Sequence, residues 1–407
     1  MVGLSTAWFL QEHGIQVTLY ERRNVAAGSS WGNAGWLTPA LTAPLPEPAV
    51  LTYGVRAVLS PSSPVYVPLR PDVRLLRFLT RFARHSTSRQ WGVGMRAYAS
   101  LNNQALAAFD ELGDRGVVSR TRAADPFLAC FRTAEDRAPL LAELEHIRAA
   151  GQDVKYDVLT GEEARSLEPA LSRTIGAAVR LHDQRYIDPP AFLAALADSF
   201  VARGGRIITA ATVTGVRESV DGARVTTREA VEENHAYHGV VLANGAWMGT
   251  LARQFGVREP VQAGRGYSFS VTGERLPRAP VYFPQQRVAC TPLATSEGPR
   301  LRVAGMMEFR KPDAALDPRR IDAIVNATGP LLDGVDLADR HDEWVGSRPC
   351  TADGLPLIGA TNAPHVYVAG GHGMWGVALG PLTGKLLAHR IATGTTPPEL
   401  IPFDPLR

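Results

Sequence analysis

The residues with the most chemistry to offer are glycines at the ends of helices and one acid that closes a short strand. In "MVGLSTAWFLQEHGIQVTLYE", Gly3 opens a helical pattern and Gly14 ends it; Val17, Leu19 and Tyr20 then form a short apolar strand that Glu21 closes. In a dinucleotide-binding strand–helix–strand unit, the helix N-terminus faces a pyrophosphate and a carboxylate ending the second strand takes the ribose hydroxyls. Glu21 follows Gly3 by 18 residues, close to the ~20 expected for that acid. Gly3 would be the third glycine of the fingerprint, the one that lets helix and strand pack closely. The plainer reading of this segment is a generic helix–strand pair with a surface glutamate.

A second glycine turn stands near the other end, in "VYVAGGHGMWGVALGPLTGKLLAHRI", between a buried strand and an apolar helix starting at about Gly376. Backbone N–H groups at such a turn favour negative charge. With "VVLANGAW" between them, the two turns point to one cofactor held by distant segments.

Holding these turns requires strands and helices that alternate, and the chain supplies them. Helical patterns cover 72–115, "RTAEDRAPLLAELEHIRAAG" and "TGEEARSLEPAL"; Asp188-Pro189-Pro190 opens another helix. Residues 117–131 and 258–312 read as strand-rich, and the stretch from 26 to 48 is a Gly/Ser/Pro loop with tryptophans, a composition that favours an ordered, functional loop. Interleaved elements predict an α/β core, and the strand-rich segments a second sheet inserted into it.

At 407 residues the chain can hold two sizeable cores. A net charge of +3 with scattered basic residues argues against a nucleic-acid partner. Cys130, Cys290 and Cys350 are far apart and form no CxxC or metal spacing, so neither a disulfide framework nor a metal site is expected. No apolar run reaches the ~18 residues of a membrane span. The expected location is cytoplasmic, with peripheral attachment to the inner face of the cytoplasmic membrane left open.

The segments "GLSTAWFLQEHGIQVTLYE", "SSWGNAGWLTP", "VVLANGAW", "RGYSFSV", "VAGMMEF", "GSRPCTADGLPLIG" and "GGHGMWGVALGPLTGKLLA" stand in an order that resembles the FAD-dependent D-amino-acid oxidase superfamily. Within it the resemblance is greatest to the bacterial D-amino-acid dehydrogenases, and it spans almost the whole chain. It implies an FAD-binding Rossmann-like domain of the glutathione-reductase type, assigned to 1–50, 150–257 and 345–407. An inserted α+β substrate domain on a mostly antiparallel sheet is assigned to 51–149 and 258–344. It also places a strand and the first two glycines of the fingerprint upstream of Met1, as if the start had been assigned at an internal methionine; the in-frame upstream sequence would show them.

The resemblance further implies roles for individual residues. Glu21 would bind the adenosine ribose with Arg22 and Arg23 beside it. Ser30, Asn33, Ala34 and Gly35 would run along the flavin, Val213 would meet adenine, and Ala243 to Gly245 would pass the pyrophosphate. Gly371, Gly373, Met374, Trp375 and Gly376 would approach the pyrimidine end of a non-covalently bound FAD. Arg348 would take the substrate carboxylate, for which a planar guanidinium is suited; the alternative is an arginine bridging loops. Tyr267 is a candidate hydrogen-bond partner of the substrate, or else a strand aromatic. His372 would shape the turn beside the flavin rather than act as a base. Trp31, Trp36 and Trp375 either line the pocket or belong to the core.

Two departures bear on activity. Glycine oxidases carry an arginine where this chain has Met374, which leans toward the dehydrogenase branch. Cys350 is offset from the covalent-linkage position of sarcosine oxidases, which falls near Gly346. The expected reaction is oxidative deamination of a D-amino acid, with electrons passed to a quinone or other acceptor. Hydroxyproline, proline or sarcosine are alternative substrates. A protein that keeps the fold without FAD is the non-enzymatic alternative, and the colour of the purified protein separates the two.

Overall fold

Residues Leu4 to Leu10 of the first helix, Val2–Glu12, are all buried, because two other helices enclose it. The terminal helix Gly380–Thr393 crosses it where a side chain on Gly384 would lie 2.6 Å from the Ser5 and Thr6 backbone. The Pro189–Ala202 helix packs on another side, and the Trp8 indole donates to Ser199 Oγ at 3.0 Å. In this computed structural model the described residues are 1–48, 60, 62–68, 72–229, 236–295 and 297–407.

The three helices lie beside short parallel pairings. Strand Thr18–Tyr20 pairs in parallel with Arg206–Ile208, and Val240–Leu242 in parallel with Val366–Gly370, which Leu357–Ala360 extends antiparallel. This is the α/β part. The larger part is a nine-stranded sheet, antiparallel except at two pairings. Its order runs Val335–Thr351, Val261–Gly273, Gly298–Phe309, Val288–Thr295, Val281–Phe283, Phe127–Phe131, Ala177–Leu181 and Tyr156–Thr160, with Val65–Tyr66 added beside Gly298–Phe309. The mixed α/β expectation with a mostly antiparallel second sheet therefore holds.

One assignment differs. Strands Tyr156–Thr160 and Ala177–Leu181, placed by sequence with the nucleotide-binding part, pair into the large sheet. Strand Val335–Thr351 likewise runs unbroken across the boundary set at 344/345. Strand partners are chosen by packing across long separations, which local pattern does not encode.

The two faces of the large sheet have different neighbours. Tyr267, Phe269, Val271, Val288, Cys290 and Val303 pack under Ile321 and Ile324 of the Pro318–Thr328 helix. The other face carries Arg348, Trp344 and Thr291, and it looks toward the tryptophan loop: the Trp36 indole donates to Thr291 Oγ1 at 2.8 Å, and that hydroxyl donates to the Ala34 carbonyl at 2.8 Å. Strand alternation makes these faces mutually exclusive.

Candidate functional site

Arg348 lies on strand Val335–Thr351 opposite Gly264, and its guanidinium spreads over Gly266 of the neighbouring strand. A side chain at Gly266 would come within 2.1 Å of Nη2, so glycine is what allows the fork to lie flat there. Arg348 Nη1 donates to the Met306 carbonyl at 2.7 Å. That carbonyl is turned toward it by a bulge: Met306 has φ +67, and three residues of its strand span two of the partner. No carboxylate of the described residues pairs with this cation, and burial holds its pKa below the ordinary guanidinium value. A guanidinium stays charged all the same. The site therefore presents a fixed, uncompensated fork suited to an anion.

The glycine turn meets the same strand just beyond Arg348. Cys350 bridges to His372, and the Gly373 N–H donates to the Pro349 carbonyl at 2.8 Å. A small cleft here is lined by Leu45, Cys350, Gly371, His372, Met374 and Trp375. The terminal helix begins at Gly380, later than the sequence indicated, so Gly371 to Gly376 form a turn preceding it. Trp375 is fixed by its indole donating to the Ala43 carbonyl at 2.7 Å. Burial pushes the Cys350 thiol up to about 12, so it offers no thiolate for a covalent flavin bond.

His372 is fully buried with Nε2 at 2.9 Å from Thr383 Oγ1, and burial pushes its pKa down to about 3. It is neutral across the working range and cannot serve as a titrating base there. The unfolded chain protonates this histidine near pH 6.5 while the folded one does not until about 3, so stability falls as pH drops through that window. Replacing His372 with Gln should shrink the loss between pH 7 and pH 5 by about 2 kcal/mol, read by urea unfolding at the two pH values. An unchanged slope would place the histidine's burial elsewhere.

Tyr267 takes the second of its two expected places, that of a strand aromatic. It stands on the helix-covered face, opposite Arg348, and its hydroxyl donates to Glu308 Oε2 at 2.6 Å. The same carboxylate takes Arg265 at 3.3 Å and Arg310 at 3.3 Å. Burial and this bond raise the phenol's pKa. Tyr267→Phe should lower stability by about 1.5–3 kcal/mol, the range for a hydrogen bond to a charged group, while KM stays within twofold. A tenfold rise in KM at unchanged stability would return Tyr267 to the substrate.

The nucleotide-side residues fall along one path. A side chain on Gly3 would lie 2.9 Å from Ala243 Cβ, so the helix start packs closely against the chain just after strand Val240–Leu242. Glu21 accepts the Arg23 N–H at 2.9 Å. Arg22 stacks over Trp247 at 3.7 Å and pairs with Asp313 at 3.4 Å, so it clasps the two parts together. Val213 begins a strand that pairs with Thr227 and is irregular at that point. Ser29 donates to the Ser347 carbonyl, Ser30 accepts from the Asn33 N–H, and Asn33 Oδ1 accepts the Gly35 N–H at 2.8 Å. Trp36 packs against Phe127 and Tyr282 as core, while Trp31 lies under the Arg302 guanidinium at 5.1 Å.

Sequence reasoning passed over Glu308, Arg302 and Trp344. An acid inside the apolar run "LRVAGMMEF" was a usable signal, since a buried charge demands partners. The residues at the two glycine turns fit FAD. Asn244 Oδ1, beside the Gly3 contact, and His372 Nδ1, at the second glycine turn, are buried with no hydrogen-bond partner among the described residues. Those are the two ends where the cofactor's polar groups would come.

Residues 1–390 match the family described as FAD dependent oxidoreductase, DAO. The chain is 28% identical over 400 residues to a D-amino acid dehydrogenase of Xylella fastidiosa (strain M23), covering 96% of this chain and 90% of that protein. It is 27% identical over 398 residues to one of Cereibacter sphaeroides (strain ATCC 17029 / ATH 2.4.9), covering 96% and 89%. Among solved structures, glycine oxidase from Geobacillus kaustophilus superposes with a TM-score of 0.73 at 22% identity, covering 100% of this chain and 96% of that one. L-proline dehydrogenase from P. horikoshii gives 0.68 at 18% identity, covering 100% and 94%.

Proposed function

The chain belongs to the DAO family of FAD-dependent oxidoreductases, and from that premise we propose that it oxidatively deaminates D-amino acids. The observation that carries this reading is Arg348: an unpaired guanidinium held by the Met306 carbonyl over Gly266, on the sheet face that looks toward the tryptophan loop. The D-amino acid dehydrogenases at 27–28% identity support the choice of substrate class.

Bound FAD would supply the acceptor for the two electrons leaving the substrate's amine-bearing carbon. Every other task falls to the chain. Arg348 binds the carboxylate through its fork and so fixes the direction in which the α-hydrogen points. The Met306 carbonyl stops the guanidinium from rotating. Neutral His372 adds no competing positive charge beside Arg348. The substrate loses two electrons and two protons to become an imine, which water converts to a 2-oxo acid and ammonia. The electrons then leave to a quinone or other acceptor.

Glu21, Gly3, Ala243 and Gly245 hold the adenosine and pyrophosphate end in this reading, and Gly371 to Gly376 the pyrimidine end. In this reading the cofactor is held without a covalent bond, and acid precipitation should release all the flavin. The deciding experiment is the flavin spectrum of the purified protein followed by anaerobic titration with D-amino acids, glycine, sarcosine and both prolines. Bleaching by primary D-amino acids supports the reading. Bleaching only by sarcosine or the prolines replaces it with a secondary-amine reaction, and a colourless protein that takes up no FAD overturns it.

A further inference from the structure

The face of the large sheet that carries Arg348 also carries a second cation without a counter-charge. Arg302 lies on strand Gly298–Phe309, opposite Ser270 on one side and Thr291 on the other. Its neighbours Leu301 and Val303 pack under the Pro318–Thr328 helix, so alternation turns Arg302 to the Arg348 side. The residue is 4% exposed. Its Nε donates to Ser270 Oγ at 3.0 Å, while Nη1 has no hydrogen-bond partner among the described residues. No carboxylate of the described residues forms an ion pair with it. Asp342, one of two acids whose charge reaches it, is taken by Arg300 at 3.1 Å; the other, Asp188, opens the Pro189–Ala202 helix. Two residues along from Ser270, the Ser268 hydroxyl is also buried and unpartnered.

The tryptophan loop closes over these two residues. The Trp31 ring centre lies 5.1 Å from the guanidinium carbon, a side chain on Gly32 would come within 2.7 Å of Ser268 Oγ, and Thr291 donates to the Ala34 carbonyl at 2.8 Å. Fixing the loop does not call for a charge, since Thr291 and Trp36 hold it through neutral hydrogen bonds. An unpaired buried guanidinium is costly, and "SSWGNAGW" contains no acid to answer it. The substrate carboxylate has Arg348 to bind. Trp344, whose ring lies against both Gly346 and Gly32, stands between that fork and Arg302. What remains on the outer side of the loop is the cofactor ring, along which Ser30, Asn33, Ala34 and Gly35 are expected to run.

We propose that Arg302 sets the electron affinity of the bound flavin. A hydride leaving the substrate's α-carbon carries two electrons and one proton, so the ring that takes it up gains one negative charge. A fixed cation beneath the loop favours that charged form and raises the reduction potential. At about 12 Å, with the effective dielectric of about 20 that suits buried groups, one unit charge shifts such an equilibrium by about tenfold. Buried under the loop, Arg302 acts through its field across one layer of chain, without contact. The proposal rests on the placement of the loop along the ring and holds whichever amino acid is oxidised.

The test takes two equilibrium readings on the FAD-loaded protein at pH 8, neither of which needs a substrate. One is the flavin's midpoint potential against a reference dye; the other is the dissociation constant of sulfite, an anion that adds to oxidised flavin. Arg302→Met and Arg302→Gln should each bind sulfite about tenfold more weakly, a fall of about 30 mV for a two-electron couple. Arg302→Lys should stay close to the parent, and Ser270→Ala, which removes the tether but keeps the charge, should leave both readings unchanged. Asp188→Asn removes an acid whose charge opposes Arg302 and keeps a side chain suited to a helix start, so it should shift both readings the other way. Unchanged readings in the two neutral variants overturn the proposal, as does an equal weakening in Arg302→Lys, which would assign the effect to shape. If the neutral variants hold no FAD, Asp188→Asn decides, and an unchanged potential there overturns the proposal. Bleaching of the parent by sarcosine or the prolines alone removes the D-amino-acid reading and leaves this one standing.

Discussion

Arg348→Leu should raise KM for carboxylate substrates by about 10²–10³-fold, the range expected when one member of a desolvated charge pair is truncated. FAD should still be retained, because the guanidinium bonds to Met306 and lies over Gly266 and makes no contact with Gly3, Glu21 or Ala243. Arg348→Lys should recover part of the loss, since an ammonium keeps the charge but lacks the fork. Gly266→Ala supplies an independent check. Its methyl group would come within 2.2 Å of the guanidinium carbon and must displace it, so KM should rise while the charge remains. Steady-state kinetics on a D-amino acid with a dye acceptor measures all three. An unchanged KM in Arg348→Leu would mean that the carboxylate binds elsewhere.

The second large effect is on stability. Glu308 is fully buried and accepts Tyr267, Arg265 and Arg310 together. Arg265 is itself fully buried and also donates to the Ala314 and Ala315 carbonyls. Glu308→Leu leaves that arginine without a counter-charge, which costs about 3–5 kcal/mol. Against a total of about 5–15 kcal/mol for a typical domain, this is severe, and Tm should fall by roughly 10 °C. Glu308→Gln keeps the shape and part of the hydrogen bonding and should fall between. Replacing both partners, Arg265→Met with Glu308→Leu, should recover most of the loss, because no unpaired charge remains. Calorimetry or urea unfolding of the four proteins measures this. Equal stability of the single and double variants would show that the arginine does not depend on the glutamate.

The parts of the site legible in the sequence were those with local signatures. Gly3, Gly14 and Glu21 were readable because a helix, a turn and a short strand have fixed lengths, and the Gly371–Gly376 turn because glycines cluster there. Arg348 came only through resemblance, since one arginine among many carries no signal in its neighbours. The choice between Tyr267 as a substrate partner and Tyr267 as a strand aromatic stayed open in the sequence for a physical reason. Alternation would decide its side only if the strand's partners and bulges were known, and these are set by tertiary pairing. The membership of Tyr156–Thr160 and Ala177–Leu181 in the large sheet was hidden in the same way. The terminal helix was placed some residues early because the apolar residues after Gly376 continue the pattern of a helix that the backbone begins only at Gly380.

With Arg348 as the proposed carboxylate anchor, the bulge at Met306 also determines which charges the substrate would meet. If strand Gly298–Phe309 ran in regular register beyond Gly305, Met307 would turn toward the helices and Glu308 would stand opposite Gly264, the residue Arg348 also faces. The protein would then carry a carboxylate of its own against the cation proposed to anchor the substrate, an intramolecular competitor present at every turnover. One residue left out of the ladder keeps that acid on the far side of the sheet, where it stabilises the fold instead of inhibiting the enzyme.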